Sequence, residues 1–234
     1  MTPIIKDEMP PIILLHGALG SAAQLDAIKA QMTDNQSVYA LNFPGHGGSA
    51  TVEPFSMRLF ADSVLKFLDE KNLAQADIFG YSMGGYVALW LAWKHPERVR
   101  SVTTYGTKLD WSPEVAAGMS RMFDPEKIEA KALQLAASLA KNHGAEQWKT
   151  LCHRTAAFLQ DLGNGLGIPP EAFGEIRCPV KICRGDLDHV VTEAESRPVA
   201  EAIPNGHFEI LPGGKHLIEQ VDIAQLAQLA FIPG

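Results

Sequence analysis

The sequence predicts an α/β protein in which a parallel sheet is covered by helices on both faces and a helical cap is inserted between two strands. Three observations carry this expectation. Apolar runs of strand length alternate with longer runs of helical period, the pattern of βα units. One stretch, about residues 111–175, reads as helices only. Finally, Gly80-Tyr81-Ser82-Met83-Gly84-Gly85 joins a strand-like run to a helix-like run through a tight turn.

The first clear strand is Pro11-Ile12-Ile13-Leu14-Leu15, ending in His16-Gly17, and a helix over about 22–32 follows. Residues 38–43 form the second strand, closed by the turn Pro44-Gly45-His46-Gly47-Gly48-Ser49. Over 56–72, apolar residues at Leu59, Phe60, Val64, Phe67 and Leu68 keep a helical period, with Ser56 as the cap. Ala76-Asp77-Ile78-Phe79 is the third strand, and the apolar run 86–92 is a helix that stops at His95-Pro96. Strands over 99–105, 180–183 and 207–211 and a last helix over about 217–229 complete the core. In the excursion, helical periods cover 114–123, 125–143 and 146–162, and Gly163-Asn164-Gly165-Leu166-Gly167 breaks the run. Helices that skip the sheet at this point must lie over its carboxyl edge. The expected organisation is therefore a core of residues 1–110 and 176–234 with a cap over 111–175.

Length and composition bound the rest. At 234 residues the chain has the size of one α/β domain with a small insertion. Apolar residues at 46% and charged residues at 20% are ordinary for a soluble globular protein. A net charge of −7 argues against nucleic acid or an anionic membrane as partner. Residues 1–8 lack a basic region followed by an apolar stretch of leader length, and no window approaches a membrane span. Cys152, Cys178 and Cys183 are odd in number and lack metal-ligand spacing, which points to reduced thiols in a cytoplasmic protein. The eight histidines are scattered, with no H-x-H or H-E-x-x-H pattern, so neither a metal nor another cofactor is expected. Oligomeric state leaves no mark that we can read.

The hexad around Ser82 carries the chemistry. A G-x-S-x-G element between a strand and a helix is a nucleophile elbow: the serine sits on a strained turn with its hydroxyl above the sheet edge. Glycines two residues either side are needed because a Cβ there would strike the neighbouring strand or helix. A serine hydroxyl needs a base, and the base needs an orienting carboxylate. On this architecture the chain order is serine, acid, histidine. His189, His207 and His216 follow a suitable acid; His207 opens a strand at the amino edge, and His189 abuts the acids too closely to face both partners. His216, on the loop after the last strand, is the candidate base. The acid comes from Arg184-Gly185-Asp186-Leu187-Asp188-His189, where spacing alone leaves both Asp186 and Asp188 open. Oxyanion donors are expected at the Met83 N–H, which opens its helix, and in the loop after the first strand, at Ala18. His16 and His46 read as structural histidines that hold their own loops.

Together these residues resemble the α/β-hydrolase superfamily. His16-Gly17, the turn at 43–49, the hexad, Gly185-Asp186-Leu187-Asp188 and Lys215-His216 fall in that family's order over residues 10–110 and 176–232. The resemblance implies the α/β-hydrolase fold, here with a mostly parallel sheet trimmed from eight strands to six or seven. In relatives with G-x-x-D at this place the second acid is catalytic, which implies Asp188. A serine nucleophile sets aside the branches that use aspartate, the haloalkane dehalogenases and epoxide hydrolases. The hexad is also similar to that of menaquinone-pathway synthases and C–C hydrolases, but Tyr86 stands where that branch carries arginine. The segment Gly106-Thr107-Lys108-Leu109-Asp110-Trp111 resembles that of a group of bacterial hydrolases.

The expected activity is cofactor-independent hydrolysis of a small ester or thioester through an acyl-serine. C–C bond cleavage or acyl transfer on the same triad is the alternative, and a non-catalytic ligand receptor of this fold is a remote one. Met119, Met122 and Phe123 in the cap favour an apolar acyl or alcohol group. Tyr81, beside the nucleophile, and Trp111, where the chain leaves the sheet, are the candidate substrate-binding residues.

Overall fold

A computed structural model describes residues 9–32, 36–50 and 53–230. Residues 1–8, which bear on a leader and on a seventh strand, lie outside them. Six strands are present among the described residues: β1 (Met9–Leu15), β2 (Gln36–Leu41), β3 (Ala76–Tyr81), β4 (Val99–Tyr105), β5 (Val180–Gly185) and β6 (Gly206–Leu211). They form one sheet in the order β2-β1-β3-β4-β5-β6, and every neighbouring pair is parallel. The chain moves from β1 outward to β2, then returns to place β3 on the other side of β1. The loops after β1 and β3 therefore diverge, and the crevice between them is where open α/β sheets place their ligands.

The two faces of the sheet follow from the strand period of two. Ile13 and Leu15 of β1 and Ile182 of β5 face one side, Ile12 and Leu14 and Cys183 the other. The first face is covered by α2 (Met57–Glu70), α3 (Met83–Lys94) and α8 (Glu193–Ala202), the second by α1 (Asp26–Gln31) and α9 (Ile223–Ala230). Each fully buried Ile or Leu contributes roughly 2 kcal/mol. The helix α3 is apolar all round, and Val87, Ala88 and Leu89 are wholly buried, as a helix packed on several sides requires. Its sequence neighbour α2 is amphipathic, and Ser56 caps it by accepting from the Leu59 N–H at 3.1 Å.

Between β4 and β5 the chain forms α4 (Pro113–Ser120), α5 (Pro125–Lys131), α6 (Leu133–His143) and α7 (Gln147–Asp161), with no strand among the described residues. Ser112 and Asp124 cap α4 and α5, each followed by a proline that suits the first helical position. Four details differ from the expectation. The helix over 125–143 breaks at Ala132, whose backbone (φ −139°, ψ 57°) is not helical, although no breaker residue marks the place. Strand β2 lies two residues earlier, over Gln36–Leu41 in place of 38–43. The last helix begins only at Ile223, because the Asp222 carboxylate takes the Ala224 and Gln225 N–H groups at 2.8 and 3.1 Å and so fixes its start. The helix α8 was not anticipated: Pro198 lies inside it, yet Thr192 caps it from the Glu195 N–H.

Candidate active site

Strand β3 runs into α3 through Ser82, whose backbone (φ 51°, ψ −116°) lies in a region that non-glycine residues avoid. Such strain costs on the order of 1–3 kcal/mol and persists only when the surroundings hold it. Here the Ser82 N–H donates to the Tyr105 carbonyl at 2.8 Å. The Ser82 carbonyl accepts from the Gly85 N–H at 3.1 Å and from the Thr107 hydroxyl at 3.0 Å. A Cβ at Gly84 would strike the carbonyl of Leu15 in β1, so helix and strand can approach this closely only through glycine.

His216 sits on the loop after β6. Tyr105 donates its hydroxyl to the Lys215 carbonyl at 2.7 Å, and the Leu187 N–H donates to the Gly214 carbonyl at 2.9 Å, which fastens that loop to the sheet. The imidazole Nε2 is 3.5 Å from Ser82 Oγ, and Nδ1 is 2.9 Å from Asp188 Oδ2. Asp188 is almost wholly buried, and its other oxygen accepts from the Val190 and Val191 N–H groups at 2.8 and 2.9 Å. Burial alone would raise this carboxyl. Hydrogen bonds from His216, Val191 and Val190, with the His216 charge, outweigh it and hold the group below its ordinary range. An ionised Asp188 draws the imidazole proton to Nδ1 and leaves Nε2 as an acceptor facing the serine. A base in that tautomer can take the Ser82 proton, and contacts of 3.5 Å commonly shorten once substrate is bound.

The other candidates lie elsewhere. Asp186 and His189 are exposed, and His207 is exposed at the start of β6, paired with Lys181. His16 is buried; its Nδ1–H donates to the Gly17 carbonyl at 2.8 Å and its Nε2 accepts from the Phe43 N–H at 3.2 Å. His46 stacks on Phe55, with ring centroids 5.3 Å apart, and its Nδ1–H donates to the Pro44 carbonyl. Sequence reasoning missed two supports. The buried Arg184 guanidinium donates to the carbonyls of Val191 and Asp188 at 3.0 and 2.9 Å and so shapes the acid loop. Lys108 pairs with Glu195 at 2.6 Å, tying the segment after β4 to α8. An arginine ending an apolar strand, and the Thr192-x-x-Glu195 cap, were the available signals.

Ser82 opens into a cavity of about 690 Å³, shared with Ala18 and Met83. The Met83 N–H lies in the first turn of α3, where the helix offers it no acceptor. Gly17 lets the β1 loop close on the elbow, since a Cβ there would lie 2.8 Å from the Tyr81 ring and 3.2 Å from Ser82 Cβ. Tyr81 also lines the cavity; burial, with Glu219 nearby, pushes its phenol up, so the ring is neutral. Met119 and Phe123 and the α7 residues Phe158 and Leu159 supply apolar walls. Trp111 packs edge-on against Tyr86, centroids 6.1 Å apart, and lines a second cavity of about 710 Å³ as well. Among the described residues, no group of three or more His, Cys, Asp or Glu side chains could hold a metal ion, and no helix is long and apolar enough to cross a membrane.

A sequence model of the alpha/beta hydrolase fold matches residues 10–155. The chain belongs to this family. Within the hydrolase-fold family, the pimeloyl-acyl-carrier protein methyl ester esterase of Aeromonas hydrophila is 28% identical over 229 residues, covering 88% of each chain. The esterase of the same name from Neisseria meningitidis serogroup B is 36% identical over 98 residues, which is 42% of this chain. That match spans only 36% of the Neisseria protein's length. Among solved structures, the enol-lactonase from Burkholderia xenovorans LB400 superposes with a TM-score of 0.74 at 21% identity, covering 94% of this chain and 90% of the other. That likeness is one of fold.

Proposed function

We propose that this hydrolase-fold protein is a cofactor-independent serine hydrolase that cleaves a small carboxylic ester or thioester. The observation that carries the reading is the continuous relay from Ser82 Oγ through His216 to a buried, ionised Asp188, opening into a largely apolar cavity. Ser82 Oγ attacks the substrate carbonyl while His216 Nε2 takes its proton. The N–H groups of Ala18 and Met83 receive the carbonyl oxygen as it becomes negative, each contributing about 3 kcal/mol to the transition state. The imidazolium, steadied by Asp188, gives its proton to the leaving alkoxide or thiolate. Water, deprotonated by the same histidine, then attacks the acyl-Ser82 carbonyl and releases the acid.

The helices α4–α7, within residues 111–175, act as a cap on the core formed by residues 1–110 and 176–234. Tyr81 and Trp111 bind substrate with the apolar side chains that the cap contributes. The ester named in both esterase relatives supports an oxygen ester over a C–C bond. Three free cysteines suit the reducing cytoplasm, and cell fractionation tests that location.

The test is an ester panel of graded acyl length, including thioesters, together with fluorophosphonate labelling. Turnover with label on Ser82 supports the reading. No turnover and no label would turn it toward a non-catalytic receptor, and product captured by an added alcohol in preference to water would turn it toward acyl transfer.

A further inference from the structure

We propose that His143, carried by α6, positions the oxyanion donor Ala18 by holding the carbonyl of Leu19, so that cap and oxyanion hole form one unit. The proposal rests on the serine-hydrolase reading and adds a residue from the helical segment to it. The direction of the Ala18 N–H is set by the loop that carries it. The near end of that loop is fixed by the core, where the Gly17 carbonyl accepts from His16 Nδ1–H at 2.8 Å, and the Gly20 N–H, 3.0 Å from the same carbonyl, closes a turn around Ala18 and Leu19. Leu19, at the centre of that turn, has φ 55°, a left-handed backbone that costs a leucine about 1–2 kcal/mol and that contacts from outside the turn help to hold.

Besides its contact with the main core cluster, Leu19 has two holds from the helical segment. Its carbonyl accepts from His143 Nε2 at 2.9 Å. Its side chain packs against the cluster of Ile128, Leu139 and Trp148. The ring's second nitrogen is committed as well, because His143 Nδ1 accepts from the Gly47 N–H at 2.9 Å. A backbone N–H can only donate, so Nδ1 is bare and the proton is on Nε2. Burial keeps this ring neutral, and it is 4% exposed. With one donor and one acceptor, both used, His143 has no proton to exchange with a substrate. It is a positioning residue, bridging the loop after β1 and the turn after β2. Withdrawal of α6 would release Leu19 and with it the Ala18 donor.

Two substitutions separate the two contacts. His143→Gln keeps an amide donor at the Nε2 position and loses the Nδ1 acceptor, whereas His143→Asn keeps an acceptor at the Nδ1 position and loses the reach to Leu19. With p-nitrophenyl butyrate, or the best ester of the panel, His143→Asn is expected to lower kcat roughly tenfold to a hundredfold, part of what a lost oxyanion donor costs. Its KM should stay within about threefold, and His143→Gln should hold kcat within about fivefold of wild type. Melting temperatures of the two variants should fall together. Equal kcat losses in both, or a fall in melting temperature with kcat unchanged in both, would overturn the proposal. Nitrogen-15 NMR of the wild-type rings needs no variant: His143 should show the neutral Nε2–H form, and an Nδ1–H or charged ring at pH 7 would overturn it too. If fluorophosphonate fails to label Ser82 in the wild type, the hydrolase reading falls instead. If the label is present and the variant pattern absent, only the role of His143 falls.

Discussion

Two surfaces face each other across the cavity, and they are built by different means. On the core side the acid and the nucleophile are each held by several hydrogen bonds. Asp188 is fixed by His216, Val190 and Val191, and the strained Ser82 backbone by Tyr105, Gly85 and Thr107. On the opposite side, α4–α7 contribute mostly apolar side chains with few directional contacts. Several large ones, among them Leu133 at 71% and Met122 at 59% exposure, remain in solvent. Hydrogen bonds fix geometry to fractions of an ångström, whereas apolar contact tolerates repacking. The contrast supports the proposal that the strand-end loops carry the reaction chemistry and the helical segment the selectivity.

The largest expected effect sharpens that contrast on the core side. Ser82→Ala should lower ester turnover by about 10⁴ or more while leaving the melting temperature near wild type, since a half-buried hydroxyl facing the cavity adds little packing. A variant that keeps above about 1% of the rate would break the covalent account. Next comes the acid. Asp188→Asn should cost up to about 10⁴ in kcat by presenting the wrong group to His216 Nδ1. Asp186→Asn, at an exposed site, should cost little. Equal losses at the two positions would overturn the assignment.

A third effect concerns the seam where the two surfaces meet. Burial is the main cause that pushes His16 down to about 4, and it lowers His46 and His143 in the same sense. The unfolded chain binds these protons first, near the ordinary 6.5. Stability is therefore full above about pH 6.5 and falls as pH drops toward 4, by roughly 3 kcal/mol from His16 alone. Urea midpoints measured across that window should drop steadily, and a flat profile would contradict the neutral, buried cluster. The smallest effect lies on the helical side. Trp111 lines both cavities, so Trp111→Ala should join them and favour longer acyl chains. The ratio of kcat/KM between long and short esters should rise by roughly tenfold, with little change in melting temperature. A variant that unfolds with unchanged selectivity would make Trp111 an anchor of the cap base instead.

The same division governs what could be read from the sequence. The order of the core elements was legible because strands buried on both faces need continuous apolar runs and the elbow needs its glycines. The region over 99–105 was placed to the residue, as Val99–Tyr105. Ser82, His216 and the acid loop could be named as candidates because the proposed chemistry demands those residue types in that order, and the structure brings them together, although the choice of Asp188 over Asp186 came only from family resemblance. The supports were not legible. Thr107 and Lys108 act on partners 25 and 87 residues away, and Arg184, whose partners lie four and seven residues on, left only the weak signal of an arginine ending an apolar strand. The break at Ala132 and the helix α8, with its internal Pro198, were settled by tertiary packing against local propensity. His143 read as one more helical residue, because its two partners lie about a hundred residues away.

The most direct test of the central claim is the intact mass of the enzyme caught during turnover. Mixed with excess p-nitrophenyl ester and quenched in acid within the first turnover, the protein should gain the mass of one acyl group, mapped by peptide fragmentation to Ser82. The Ser82→Ala variant should gain none. An unmodified wild-type enzyme that nonetheless turns over the ester, or an acyl group on another residue, would contradict the account.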